Sequence, residues 1–595
     1  MIAEELKNTK IGDLVPVAEK LRERLVETVR RNGGHLSSNL GAVELTLALC
    51  RAFDFPKDKI VFDVGHQSYV YKLLSGRDLD RLRRKGGESG FPDPQESEDD
   101  CFLAGHSGTS VAAGIGLCNA RDARGEDFYV VSVIGDASLG NGLALEAVFS
   151  SENKPKKFVV VLNDNGMSIG KNTSALYRAL SKATAKAGYR RVDRFLDRTF
   201  KTTSAFGRQL RRIKYSIKGW LNKNDFFERC GFKYIGPVDG HDLHELCGVL
   251  ADVKKLDRPV FLHVVTQKGR GYAPAEADPS RYHGVGKNFA VSENTFSTAL
   301  GRLLLARAES DPSLVAVTAA MTDGVGLSAF AEKYPDRLYD VGICEEYAVT
   351  MAAGMAKGGL SPVVCVYSTF LQRAFDEIVH DVCLQNLHVI FCADRAGFVG
   401  ADGKTHQGLL DVLLRAVPNL SVFQPKDAEE LADVFDYARS PGGPALIRYP
   451  NGYSPNLGSR RKISAHRLWE VLSEGKGAVV LASGARSVAR ALEAKKLSGE
   501  DVMVVNCRSV KPLDEGLLKE IAGRDILTYE EGYAACGFGS AVAEFYACRG
   551  EGVRLLTVAA PECVVAHATA DEQAEQCRLT ASDLAAKIRA FSSRA

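Results

Sequence analysis

VIGDASLGNGLALEAVF (Val133 to Phe149) and FVVVLNDNGMSIG (Phe158 to Gly170) decide the fold class. An apolar run ends in Gly135-Asp136, a helix-like stretch follows, and a β-branched run (Phe158 to Leu162) ends in Asn163-Asp164-Asn165. That pattern is a βαβ unit, and parallel strands place both polar ends on one edge of a sheet, where ligands bind. Working outward, strand-like and helix-like patterns alternate over the whole chain, so the chain is expected to be α/β with mostly parallel sheets flanked by helices.

Three domains are expected. The first runs over 1–291, with strands near Tyr129, Phe158 and Val260 and a basic, polar excursion at about 171–224. The second covers 292–455, with a helix over Thr298 to Ala308 and strands over Leu314 to Thr318, Val363 to Val366 and Val389 to Ala393. The third covers 456–595, and its first clear strand is Gly477 to Leu481. The 595 residues carry a net charge of +2, which argues against bulk nucleic-acid binding, and the basic segment Arg190 to Lys223 reads as a solvated surface. The 14 cysteines show no CxxC pair and no zinc spacing, several stand in apolar strands (Cys365, Cys392), and a reduced, cytoplasmic protein is expected. The N-terminus lacks the apolar centre of a signal peptide, and no apolar run approaches membrane-spanning length.

Asp136 and Asn165 can be read in two ways. Both residue types cap loops and helices. A carboxylate, an amide oxygen and a backbone carbonyl also suit Mg²⁺ on a diphosphate, where phosphate and water complete the shell. Gly105-His106-Ser107-Gly108-Thr109 precedes a small-residue helix, a junction that either offers amides to phosphate or is an ordinary capped turn.

The Gly-Asp-Ala…Asn-Asp-Asn spacing resembles that of thiamine-diphosphate enzymes, with Ala137 where the family motif has glycine. Longer strings narrow the resemblance: GGHLSSNLGAVELTLAL (Gly33 to Leu49), FDVGHQSYVYKLLSGR (Phe62 to Arg77), AGHSGTSVAAGIG (Ala104 to Gly116), GPVDGHD (Gly236 to Asp242), KGRGYAPAEADPSRYH (Lys268 to His283), YSTFLQRAFDEIVHDV (Tyr367 to Val382) and DRAGFVGADGKTHQG (Asp394 to Gly408). Together they resemble the 1-deoxy-D-xylulose-5-phosphate synthase family, which has a three-domain, transketolase-like architecture. The resemblance implies a homodimeric transferase that uses thiamine diphosphate and Mg²⁺ to join pyruvate to D-glyceraldehyde 3-phosphate, at the entry to non-mevalonate isoprenoid synthesis and to thiamine biosynthesis.

The same resemblance assigns roles. Asp136, Asn165 and the carbonyl of Met167 would hold the metal. His66, Gly105, His106, Ser107, Ala137, Ser138, Asn165, Tyr272 and Phe370 would hold the cofactor. Glu345 would bond N1′ of the aminopyrimidine, and His35, His283, His406 and Lys268 would serve the chemistry. Tyr367, Arg373, Arg395, Asp402 and His406 would bind substrate. Each has an ordinary alternative: a core phenylalanine, a surface ion pair, or glutamates favoured at a helix start. Other departures are Glu346-Tyr347 for the family's Gln-His, Asp93-Pro94 in place of basic residues, and Asn451 in place of a phosphate-binding arginine. Each charge-assisted bond to phosphate contributes roughly 1.5–3 kcal/mol, so these losses bear on the acceptor. A paralogue using another aldehyde or ketose, and a non-catalytic scaffold, are the alternatives.

Overall fold

The computed structural model describes residues 3–150, 154–167, 225–290, 295–440, 442–452, 454–458 and 461–592. The excursion expected at 171–224 and the domain junction expected at 291–292 lie outside them. The chain forms two compact units, Met1–Arg83 with Gly87–Ala290, and Arg84–Gly86 with Val291–Ala595.

The first unit is built on five strands: β1 (Lys59–Phe62), β2 (Val130–Gly135), β3 (Phe158–Asp164), β4 (Lys233–Asp239) and β5 (Val260–Val265). They lie in the order β1-β2-β3-β5-β4 and all pair in parallel. Every residue of β3 is buried, as expected for a central parallel strand covered on both faces. Between β2 and β3 the chain makes two short helices, Asp136–Leu139 and Gly142–Phe149.

The second unit holds two sheets. One contains β6 (Leu314–Thr318), β7 (Leu338–Asp340), β8 (Ser361–Tyr367), β9 (Ile390–Asp394), β10 (Ser421–Phe423) and β11 (Ala445–Arg448). The other contains β12 (Glu470–Ser473), β13 (Val479–Ser483), β14 (Met503–Asn506), β16 (Ile526–Tyr533) and β17 (Leu555–Ala560). The remaining strand, β15 (Ser509–Lys511), leaves its neighbours and pairs antiparallel with β10, completing a seven-stranded sheet. Buried Trp469 fixes that crossover, its indole N–H donating to the carbonyl of Ser509 at 2.7 Å.

The expected helix over Thr298 to Ala308 is Phe296–Ser310, started by a capping box between Thr295 and Thr298. Expectation and structure differ at sheet edges. The first strand after residue 456 is β12, which runs antiparallel to β14, and the stretch expected at Gly477 to Leu481 is β13, shifted by two residues. Another edge strand, β7, is just Leu338–Asp340 and was not among the expected strands. The edge strands β7 and β12 are three and four residues long and partly polar, too short to show a period. Cys365 and Cys392 are fully buried and face each other across β8 and β9, small apolar fillers as expected. Among the described residues no helix is long and apolar enough to cross a membrane.

Candidate active site

The parallel strands of the first unit carry polar residues to one edge. Asp63 follows β1, Asp136 follows β2, Asn163 and Asp164 end β3, and Thr266 to Lys268 follow β5. The Asn-Asp-Asn trio divides its work. Asn163 donates to Gln67 (2.8 Å) and accepts from Thr266 (2.6 Å). Asp164 pairs with buried His263 (2.8 Å), whose other nitrogen meets the Tyr234 hydroxyl (2.8 Å). Asn165 alone lies beyond the strand and partly exposed, its Oδ1 accepting the Met167 N–H at 3.1 Å. Ala137 sits in the helical turn after β2 and has no positive φ, so the glycine of the family motif is not needed there for its backbone freedom.

The N–H groups of Gly108 and Ser110 both donate to the carboxylate of Asp63, at 2.8 and 3.0 Å, so these two amides are not open to a phosphate. Burial raises the carboxyl of Asp63, while the Ser110 and Gly108 amides draw it back. Gly108 is required sterically: at φ +81°, a Cβ would come within 2.3 Å of Asn141 Oδ1. Val64, next to Asp63, is held at φ 59°, a left-handed conformation that is costly for a β-branched residue and that clusters at functional sites.

Three expected histidines meet here. The rings of His35, His66 and His283 lie 5.2–5.9 Å apart, centroid to centroid. Asn39 ties two of them together, its Nδ2 donating to the carbonyls of His35 (2.7 Å) and His66 (2.6 Å). The Nδ1 atom of His66 is buried without a hydrogen-bond partner. Burial, then the neighbouring His35 and Lys268, hold His66 well below its ordinary pKa, and His283 is depressed by burial, Lys268 and the other two rings. Lys268 is itself pushed down to about 8 by burial, with Asp136 drawing it back up. His66 and His283 are thus held neutral at pH 7, and the buried Lys268 ammonium, near a carboxylate, is the group brought closest to neutral pH. Tyr272 packs in an aromatic cluster with Tyr282 and Phe289.

In the second unit the ends of β8 and β9 set the site, because Tyr367 and Asp394 are register partners. Arg395 takes φ 64° and lays its guanidinium 3.6 Å from the Tyr367 ring centroid. Tyr367 stacks on Phe370 (5.7 Å), and Phe370 meets His406 edge-on (5.2 Å). Asp402 is felt electrostatically by both Tyr367 and Arg395. Glu345 opens the helix Glu345–Lys357 and is buried; its Oε2 accepts no hydrogen bond and lies 3.9 Å from Arg373. Burial lifts its carboxyl to about 7, against the pull of Arg373. Glu346 is half-buried and Tyr347 exposed, and nothing in the structure explains their departure from the family pattern.

The other departures have structural counterparts. Asp93 is buried in a turn, accepting the Gln95 N–H at 3.0 Å, while its own N–H donates to Asp100 at 2.8 Å. The carbonyl of Asn451 accepts from Arg486 at 2.7 Å. Three buried groups escaped the sequence: Asp63, Asn39 and the Asp164–His263 pair. Asp63 and Asp164 did leave a signal, each an acid close behind an apolar run, as with Asp136.

Comparison with known proteins follows the same division. A family model described as 1-deoxy-D-xylulose-5-phosphate synthase matches residues 2–266, one described as the transketolase pyrimidine binding domain matches 292–455, and one described as the transketolase C-terminal domain matches 468–584. The chain is 46% identical over 562 residues to a 1-deoxy-D-xylulose-5-phosphate synthase of Clostridium botulinum (strain Alaska E43 / Type E3), covering 91% of this chain and 90% of that one. It is 44% identical over 607 residues to the protein of the same description from Halalkalibacterium halodurans, covering 98% and 96%. A solved transketolase from Campylobacter jejuni is 16% identical with a TM-score of 0.45, covering 98% of this chain and 99% of that one.

Proposed function

The chain belongs to the 1-deoxy-D-xylulose-5-phosphate synthase family, and from that premise we propose that it joins pyruvate to D-glyceraldehyde 3-phosphate, giving 1-deoxy-D-xylulose 5-phosphate and CO₂. The C1–C2 bond of pyruvate breaks, and its C2 forms a bond to the aldehyde carbon. Thiamine diphosphate, when bound, supplies a nucleophilic carbon and an acceptor for the electron pair released with CO₂.

The observation that carries this reading is Glu345. A buried carboxyl with one unbonded oxygen, lifted to about 7, suits a heterocyclic nitrogen with which it shares a proton. Phe370 would offer an aromatic face to the same ring. On the first unit, Asp136, Asn165 and the Met167 carbonyl would hold Mg²⁺. A single carboxylate ligand is adequate for Mg²⁺ on a diphosphate, and among the described residues no group of three or more His, Cys, Asp or Glu is placed for a metal. Lys268 and the three histidines would hold protons against the oxo acid. Arg395, stacked on Tyr367 and backed by Arg373, would take the acceptor phosphate, with Asp402 and His406 on its hydroxyls. A cytoplasmic homodimer, feeding isoprenoid and thiamine synthesis, goes with this reading.

The test supplies purified protein with pyruvate, cofactor, Mg²⁺ and a panel of phosphorylated and free aldehydes, and identifies products by mass. A pentulose phosphate from glyceraldehyde 3-phosphate is expected. Condensation only with a different aldehyde would make the protein a paralogue, and absence of calorimetric cofactor binding would make it a scaffold.

Asn451 bears on the acceptor. Asn451→Arg is expected to lower KM for glyceraldehyde 3-phosphate roughly tenfold, because an added charge-assisted bond contributes roughly 1.5–3 kcal/mol. The KM for pyruvate should barely move. Titrations with phosphorylated and free glyceraldehyde check this, and no change in either KM would put Asn451 outside the acceptor site.

A further inference from the structure

The stretch 395–406 carries Arg395, Asp402 and His406, and its only helical residues are the 3₁₀ turn Gly400–Asp402. Side chains from residues beyond 480 grip it at two backbone positions. At Phe398, the N–H points to Glu531 Oε2 (3.4 Å) and the carbonyl accepts from Arg486 Nη1 (2.7 Å). Arg486 and Glu531 are themselves paired at 3.3 Å, and Arg490 takes the other oxygen of Glu531 at 2.6 Å. At Gly400, the N–H donates to Gln573 Oε1 and the carbonyl accepts from Gln573 Nε2, both at 2.9 Å. Gln573 is fully buried, and its Nε2 also donates to the carbonyl of Ala566 at 2.8 Å, so two carbonyls determine which way its amide faces.

Each grip takes both the donor and the acceptor of one residue, which pins the backbone in position and orientation. Without them an irregular loop samples many conformations, and a phosphate-binding guanidinium on it loses its preorganisation. Arg486 also holds the carbonyl of Asn451, so one side chain joins the loop after β9 to the loop after β11.

We propose that the C-terminal domain is part of the acceptor-recognition apparatus, with Gln573 and the Arg486–Glu531 pair as positioning residues that hold 395–406 in the shape that receives the phosphorylated aldehyde. This rests on the reading of Arg395 as the phosphate ligand. The variants are Gln573→Glu, which keeps the acceptor for Gly400 and replaces the donor, and Arg486→Met. The second side chain is 24% exposed and carries the test alone should the first variant not fold. In the full chain with cofactor and Mg²⁺, the amides of 397–407 should exchange hydrogen at least roughly tenfold faster, while the central strands keep their protection. KM for glyceraldehyde 3-phosphate should rise roughly tenfold, with pyruvate KM within about twofold. Arg395→Ala is run in parallel. Unchanged exchange, or equal rises in both KM values, overturns the proposal. So does faster exchange with unchanged acceptor KM when Arg395→Ala raises it. If Arg395→Ala also leaves acceptor KM unchanged, the phosphate assignment fails and takes the proposal with it.

Discussion

Glu345→Ala is expected to lower turnover by roughly a thousandfold, within the range for loss of a general acid–base partner, while fold and diphosphate anchoring persist. The residue opens a helix, and its buried Oε2 accepts no hydrogen bond that would hold the fold together. Circular dichroism, cofactor affinity and pyruvate decarboxylation measured together check this; near-normal decarboxylation would remove Glu345 from the mechanism, and Glu346→Ala should be far milder. Stability gives an independent readout. The folded state holds the Glu345 proton up to about pH 7, whereas a free carboxyl releases it near 4.5. Between those values the native state binds a proton that the unfolded state has lost, so stability falls as pH rises through that window and levels off above it. The loss amounts to about 3 kcal/mol. Glu345→Gln removes it, so in the cofactor-free protein this inactive variant should be more stable than wild type at pH 8 and similar at pH 4.5. Urea melts at the two pH values measure the difference.

Asp136→Ala should weaken Mg²⁺ and cofactor binding together, by roughly ten- to a hundredfold. Its carboxylate is the one charged protein ligand proposed for the metal, and a charge-assisted contact contributes roughly 1.5–3 kcal/mol. Removing it also takes from Lys268 the charge that supports its ammonium, so the lysine should titrate below its present value of about 8. Cofactor affinity indifferent both to the mutation and to a chelator would refute the metal site. A Lys268 titration that does not move would refute the electrostatic coupling between the two groups.

Much of the fold was legible because parallel strands buried on both faces are written as unbroken Val, Ile and Leu runs. β3, β6 and β9 stand within a residue or two of where those runs place them. The ends of those runs also marked candidate site residues within each unit, since Asp136 and Asn165 in the first, and Tyr367 and Arg395 in the second, end or directly follow strands whose parallel pairing brings them to an edge of their own sheet. Long family strings supplied the roles that periodicity could not.

What stayed hidden depends on partners far apart in the chain. β15 is three residues long, and only docking against β10 makes it a strand. Asp63 could have been a ligand like Asp136; its two bonds to the amides of Gly108 and Ser110 make it a cap instead. Asn163, Asp164 and Asn165 are chemically alike on paper, and the side-chain partners Gln67, Thr266 and His263 leave only the third facing outward. The grip of Gln573 on Gly400 spans 173 residues. Sequence by itself determines which segments must be buried and which polar groups end them, because those follow from local hydrophobicity and period. Only the tertiary structure decides which of those groups are consumed by the protein and which remain for a ligand, because that is set by hydrogen bonds between residues that folding alone brings together.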